Sequence, residues 1–148
     1  WTDQPGQVCA VMVADCVPIL LAAKDGSCVA AIHAGWRGLA AGVIEETVKC
    51  LPVPAAELVA VIGPCIGETA YTVGEEVIQQ LQIVDAQRFY INRNLNLTEI
   101  ARAQLTRNKI SAPITAVNLC TFSQSPKFYS YRKNKWTGRI GAVIQHSI

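Results

Sequence analysis

Apolar and polar positions alternate in blocks short enough to be read one element at a time. Residues 7–16 (QVCAVMVADC) are nearly continuous apolar sequence, which predicts a strand covered on both faces. Residues 17–23 (VPILLAA) and 28–33 (CVAAIH) are strand-length apolar runs separated by Lys24, Asp25, Gly26 and Ser27, which is turn chemistry. A β-hairpin follows. From Gly35-Trp36-Arg37-Gly38 the pattern changes to helical: over 39–51, Leu39, Val43, Ile44, Thr47, Val48 and Leu51 form one stripe, with Glu45 and Glu46 on the wet side. Pro52 and Pro54 end that helix. Residues 58–62 (LVAVI) read as a buried strand running into Gly63-Pro64-Cys65-Ile66-Gly67. Amphipathic helices are expected over 74–83 and 97–110, with a mixed, loop-like stretch at 84–96 between them. Three more strands are expected at 114–120, 128–132 and 139–145. Strands and helices interleave, yet the hairpin rules out a purely parallel arrangement. The expectation is an α/β fold of mixed sheets with outer helices.

The hairpin makes a specific geometric prediction. If Ala23 faces Cys28 across the four-residue loop, paired positions sum to 51, so His33 lies opposite Pro18. Cys16 is then the diagonal neighbour of His33 on the same face, roughly 7–8 Å away at Cα. A slip of one residue would put the two side chains on opposite faces. A thiolate with an imidazole suits zinc, and copper also accepts the pair. The same two groups could form a Cys–His nucleophile dyad, or simply a buried cysteine and a hydrogen-bonded histidine.

Composition narrows the field. The 148 residues amount to one domain's worth of chain; 51% are hydrophobic, 16% charged, and the net charge is +2. The basic residues are scattered, which gives no reason to expect binding to nucleic acid or acidic lipid. No apolar run has the length of a membrane span, and no signal-peptide pattern is present. Six cysteines without a CxxC pair, in a chain with a strong apolar core, fit a reducing, cytoplasmic setting better than a disulfide scaffold. Cys9, Cys28 and Cys50 read as small core residues.

Two catalytic templates fail on inspection. A zinc deaminase uses H-x-E followed by P-C-x-x-C. Here Gly35 stands two residues after His33, and Glu68 stands three after Cys65. Several copper sites would need more than the two histidines and the one methionine, Met12, that the chain contains.

The order ADCVP, HAGWRG seventeen residues after the cysteine, GPCIG at 63–67, FYSYR and a late Gly-Arg resembles the laccase-domain family over the whole chain. Members of that family have been called multicopper polyphenol oxidases and purine nucleoside phosphorylases. The resemblance implies an α/β/β/α layered sandwich spanning residues 1–148, and one zinc held by Cys16 and His33. It also implies a third ligand, a histidine from a segment before the point where this chain starts. The chain would then be N-terminally incomplete, with a two-legged metal site and doubtful activity of its own. His146 is expected to be a surface or tail residue.

The implied reaction is phosphorolysis of adenosine or inosine to base and ribose 1-phosphate, with a deaminase side activity. Nucleoside and phosphate would be the only partners, and the oligomeric state stays open. Cys16, His33 and Arg37 are the candidate catalytic residues. Arg37, before a helix start whose free N–H groups attract anions, is one candidate for phosphate, with Arg132 and Arg139 beside it. Trp36, Phe128, Tyr129 and Tyr131 could stack on a purine, and Cys65 could line the pocket without being a ligand. Three alternatives stay open: a copper-dependent phenol oxidase, a metal-free Cys–His hydrolase in cell-wall precursor turnover, and a scaffold without activity.

Overall fold

The computed structural model describes residues 1–81, 86–110 and 113–146. Chain order is β1 (Val8–Val13), β2 (Val17–Ala23), β3 (Val29–Ala34), α1 (Trp36–Ala40), α2 (Val43–Cys50) and β4 (Leu58–Ile62). Then come α3 (Glu75–Leu81), β5 (Tyr90–Ile91), β6 (Asn94–Leu95), α4 (Leu97–Arg107), β7 (Ile114–Ala116) and β8 (Ile140–Gln145). The class is mixed α/β, as the interleaved pattern requires.

The central sheet has the order β3-β2-β4-β7, with β4 and β7 parallel and the other pairs antiparallel. One face of β2, β3 and β4 (Val17, Ile19, Leu21, Ile32, Ile62) is almost fully buried. Against it lie Leu39, Ile44, Ile100 and Leu105 from α1, α2 and α4, each at most 1% exposed. Each such side chain contributes about 1.5–3 kcal/mol by leaving water, which fixes the sheet's inward face and hence its register. The opposite face of β2 and β3 is covered by a two-stranded antiparallel sheet of β1 and β8. The layers are thus helix, sheet, sheet. The outward side of the second sheet carries Val8, Met12 and Val143, at 56, 69 and 60% exposure. The unbroken apolar run at 7–16 therefore corresponds to a strand with one face open among the described residues, not to one covered twice.

Other expectations change in instructive ways. The single helix over 39–51 is two helices. Gly42 adopts φ +79°, ends α1 after five residues and restarts the chain as α2. The stripe still works, because Leu39, Ile44 and Leu51 are buried while Glu45 and Glu46 stay out. A five-residue helix, however, has little summed dipole, so its start makes no anion site by itself.

The FYSYR segment is not a strand. It follows a run of turns over 121–127, and its backbone bonds run to side chains and turns rather than to a sheet neighbour. The strand expected at 114–120 is regular only at Ile114–Ala116, with an isolated bridge at Cys120. Residues 84–96 include the β5–β6 hairpin, and positions 82–85 lie outside the described residues. Cys28 is buried as expected and Cys9 partly so, but Cys50 is exposed at the end of α2.

His146 is buried, not a tail residue. Its backbone N–H donates to Gln7 and its ring nitrogen lies 3.1 Å from the Ser27 carbonyl, so it clamps β8 to the hairpin turn.

Gly42→Ala tests the helix break cleanly, because no atom lies within 4 Å of the added Cβ and only the left-handed backbone resists it. The expected loss is about 1–2 kcal/mol in urea unfolding. A gain in stability would mean that α1 and α2 prefer to be one helix.

Candidate functional site

The hairpin register is the one that the turn chemistry required. Pro18 pairs with His33 and Val17 with Ala34, so positions sum to 51. Val17 and Ala34 point into the core at 0% exposure, and strand alternation then places Cys16 with Pro18, and His33 with Gly35, on the other face. Cys16 ends up beside the residue that follows the HA of HAGWRG. A Cβ built on Gly35 would sit 2.8 Å from the Cys16 sulfur, so glycine there is what lets the thiol lie against the chain. Cys16 is half-buried and His33 exposed, which leaves both open to a ligand.

The loop that delivers Cys16 is held by its neighbour. Asp15 has φ +86°, an unusual backbone for a residue with a side chain, though Asp tolerates it better than most. Its buried carboxylate accepts the Thr121 hydroxyl at 2.7 Å and the backbone N–H of Arg132 at 2.6 Å. Its backbone carbonyl accepts the N–H of Ile66 at 2.9 Å. One residue therefore ties the ADC, GPCIG and FYSYR segments into a single rim. No role for Asp15 or Thr121 followed from the sequence; the Asp stood in the motif, but its partners lie 106 and 117 residues away.

Around this rim stand three guanidinium groups. Arg37 lies 4.3 Å above the Trp36 ring, Arg132 lies 5.0 Å above Tyr71, and Arg139 lies 5.9 Å from Tyr131. Arg132 also donates to the Thr72 carbonyl at 2.9 Å, which aims its head along the rim. Burial and the Asp15 carboxylate push the Cys16 thiol up, with Arg139 pulling the other way. Burial likewise raises the Tyr71 hydroxyl; Arg132 and Arg37 oppose this, while Cys16 and Asp15 add to it. Those mutual influences put Tyr71 among Cys16, Arg37 and Arg132. It is a candidate site residue that sequence reasoning missed, since nothing in TAYTV singles it out.

Cys65 lies close enough to this group for Asp15 and Cys16 to act on its thiol, but it lines a cavity that neither of them lines. It is 4% exposed and its sulfur lies 3.1 Å from the Thr98 hydroxyl, in a different cavity. Tyr129 and Tyr131 are both about half exposed, and Phe128 is partly buried.

As metal donors, Cys16 and His33 suit zinc by chemistry and placement. Among the described residues no group of three His, Cys, Asp or Glu side chains converges. Both Asp15 oxygens are already engaged. His146 sits at the turn end of the hairpin, a seven-residue strand or roughly 20 Å away from the Cys16 end. Met12 points outward from β1, so it cannot complete a copper set with this pair.

The chain belongs to the multi-copper polyphenol oxidoreductase laccase family, whose sequence profile matches residues 1–147. It is 41% identical over 151 residues to a Shigella flexneri protein named purine nucleoside phosphorylase YfiH, covering 97% of this chain and 61% of that one. A purine nucleoside phosphorylase of Haemophilus influenzae is 40% identical, with 97% and 62% covered. Among solved structures, Neisseria meningitidis NMB0706 superposes with a TM-score of 0.90 at 34% identity, covering 95% of this chain and 61% of that one. The chain thus spans about three-fifths of the length of the relatives it matches. Among the described residues no helix is long and apolar enough to cross a membrane.

Replacing Asp15 with Ala would leave the Thr121 hydroxyl and the Arg132 N–H without their acceptor. A loss of about 2–4 kcal/mol is expected, together with faster amide exchange over residues 128–133. Equal exchange in both proteins would show that the rim is held by something else.

Proposed function

We propose that this chain carries the catalytic pocket of a purine nucleoside phosphorylase, converting adenosine or inosine and phosphate to base and ribose 1-phosphate. The observation that carries the reading is that Arg37, Arg132 and Arg139 gather around Tyr71 and Cys16, with the hairpin register pairing His33 opposite Pro18, two residues from that cysteine. The names of relatives about 40% identical support it.

Phosphate is a dianion or monoanion at neutral pH, and Arg37, Arg132 and Arg139 supply fixed cations for its oxygens. Arginine suits this role because its planar fork can bind two oxygens at once. The purine ring needs a flat apolar surface, which Tyr71, Trp36 and Tyr131 can offer. In the reaction a phosphate oxygen attacks C1′ of the ribose as the C1′–N9 bond breaks, and the base leaves after gaining a proton. Positive charge grows on the sugar, so holding the anionic nucleophile close is worth more in the transition state than before it.

Cys16 and His33 would hold a zinc ion, whose positive charge can polarise a bound oxygen. A third donor is required for such a site and comes from none of the described residues. Deamination at the same pocket would need water to attack C6 of the adenine ring, with the 6-amino group taking up a proton and leaving as ammonia. The family description supports a second reading, phenol oxidation by copper bound at the same two residues.

In the full-length protein, His33→Ala should lower adenosine phosphorolysis by about a hundredfold and reduce bound zinc, with circular dichroism unchanged. Unchanged turnover would contradict the reading. Activity that appears only with added copper, and on phenols rather than nucleosides, would favour the second one.

Gly35→Ala is a subtler probe. The added methyl meets the Cys16 sulfur, so turnover should fall at least about tenfold while the unfolding midpoint stays within a few degrees. If turnover survives, the thiol's position is not part of the chemistry.

A further inference from the structure

A second cluster of chemistry lies in the cavity that Cys65 faces. It holds about 180 Å³ and is lined by Cys65, Thr98, Asn96, Glu68, Glu99 and Cys120, among others. Neither Cys16 nor His33 lines it, nor do Trp36, Arg37, Tyr131 and Arg132.

The backbone sets Cys65 and Cys120 directly opposite each other in an isolated parallel bridge. The Cys65 N–H donates to Leu119 at 3.3 Å and its carbonyl accepts from Thr121 at 2.9 Å. Bridged chains run about 4.8 Å apart, and directly opposed residues project to the same side. A disulfide needs Cα atoms about 4.4–6.8 Å apart, so the pairing falls within range.

The two sulfurs have different surroundings. Cys120 is partly exposed, and its sulfur accepts backbone N–H groups from Gly67 at 3.2 Å and Ser123 at 3.5 Å. Burial alone would raise this thiol, but donors from Ser123, Gly67 and Phe122 outweigh it and lower it. Cys65 is buried against the Thr98 hydroxyl and pushed up to about 11, chiefly by burial. The surroundings thus pull the two thiols in opposite directions, Cys120 down and Cys65 up.

We propose that this cavity is a hydroperoxide-reactive site, with Cys120 as the attacking sulfur and Cys65 as the one that resolves it to a disulfide. In the first step the Cys120 thiolate attacks the terminal oxygen of a hydroperoxide. The O–O bond breaks, the alcohol or water leaves with a proton from solvent, and Cys120 becomes a sulfenic acid. In the second step the Cys65 sulfur attacks the sulfenic sulfur. The S–O bond breaks, the Cys65 proton goes to the departing hydroxide, and water and a disulfide result. The hydroperoxide is the oxidant and both cysteines are oxidised. The product would lock the GPCIG loop to the turn at 120–123. The proposal does not depend on the nucleoside reading.

The test treats the reduced full-length protein with one equivalent of hydrogen peroxide, then alkylates the remaining thiols after denaturation and maps peptides by mass spectrometry. Titratable thiols should fall by two, with one linked peptide pair containing Cys65 and Cys120, and dithiothreitol should restore both. Cys65→Ser should stop at a Cys120 sulfenic acid that dimedone traps, and Cys120→Ser should leave Cys65 unmodified. The exposed Cys50 is the internal comparison, and oxidation there before Cys120 would overturn the proposal. So would a disulfide joining any other pair.

Discussion

A buried carboxylate shared by distant parts of the chain is what assembles this rim. Asp15 accepts one hydrogen bond on each oxygen, from Thr121 and from the backbone of Arg132, while its own carbonyl holds Ile66. Charge-assisted bonds of this kind are worth about 1.5–3 kcal/mol each, and removing the acceptor leaves buried donors unmet. The cost of the left-handed backbone at Asp15 is smaller than that. The constraint is local in space and long-range in sequence. It fixes the residue immediately before Cys16, so the thiol inherits a defined position from a bond network that it does not join.

The rest of the placement comes from ordinary sheet physics. A period of two along β2 and β3 forces Val17, Ile19, Ile32 and Ala34 into the core, which turns His33 to the other side and, together with the Asp15 network, sets where Cys16 enters. The apolar side fixes the register and the other side carries the chemistry. Arg37, Arg132 and Arg139 come from three segments, and each stacks on an aromatic ring that limits its swing. Such a rim suits an anion with several oxygens more than a neutral phenol.

How much of this could be read from residues alone follows the range of the interactions involved. The hairpin was legible because its turn chemistry and its two apolar runs are adjacent, so Lys24 to Ser27 sufficed to set the pairing. The helix stripe was legible too, but not its break, because Gly42 inside a helical pattern reads as a tolerated cost. FYSYR alternates like a strand; its backbone instead reaches Asp15, over a hundred residues earlier, and no local pattern carries that information. His146 looked like a tail because it is two residues from the end, whereas β8 carries it back to the hairpin turn. Tyr71 is placed by packing beneath Arg132, which is a tertiary fact throughout.

The central claim is that one sulfur and one imidazole nitrogen, from the adjoining ends of β2 and β3, face a common ligand. X-ray absorption at the zinc edge of the purified full-length protein asks this directly. The account predicts one sulfur neighbour at about 2.3 Å and nitrogen at about 2.0–2.1 Å, with the sulfur shell lost in Cys16→Ser. A bound zinc surrounded only by nitrogen and oxygen, or a sulfur shell that survives that substitution, would contradict it.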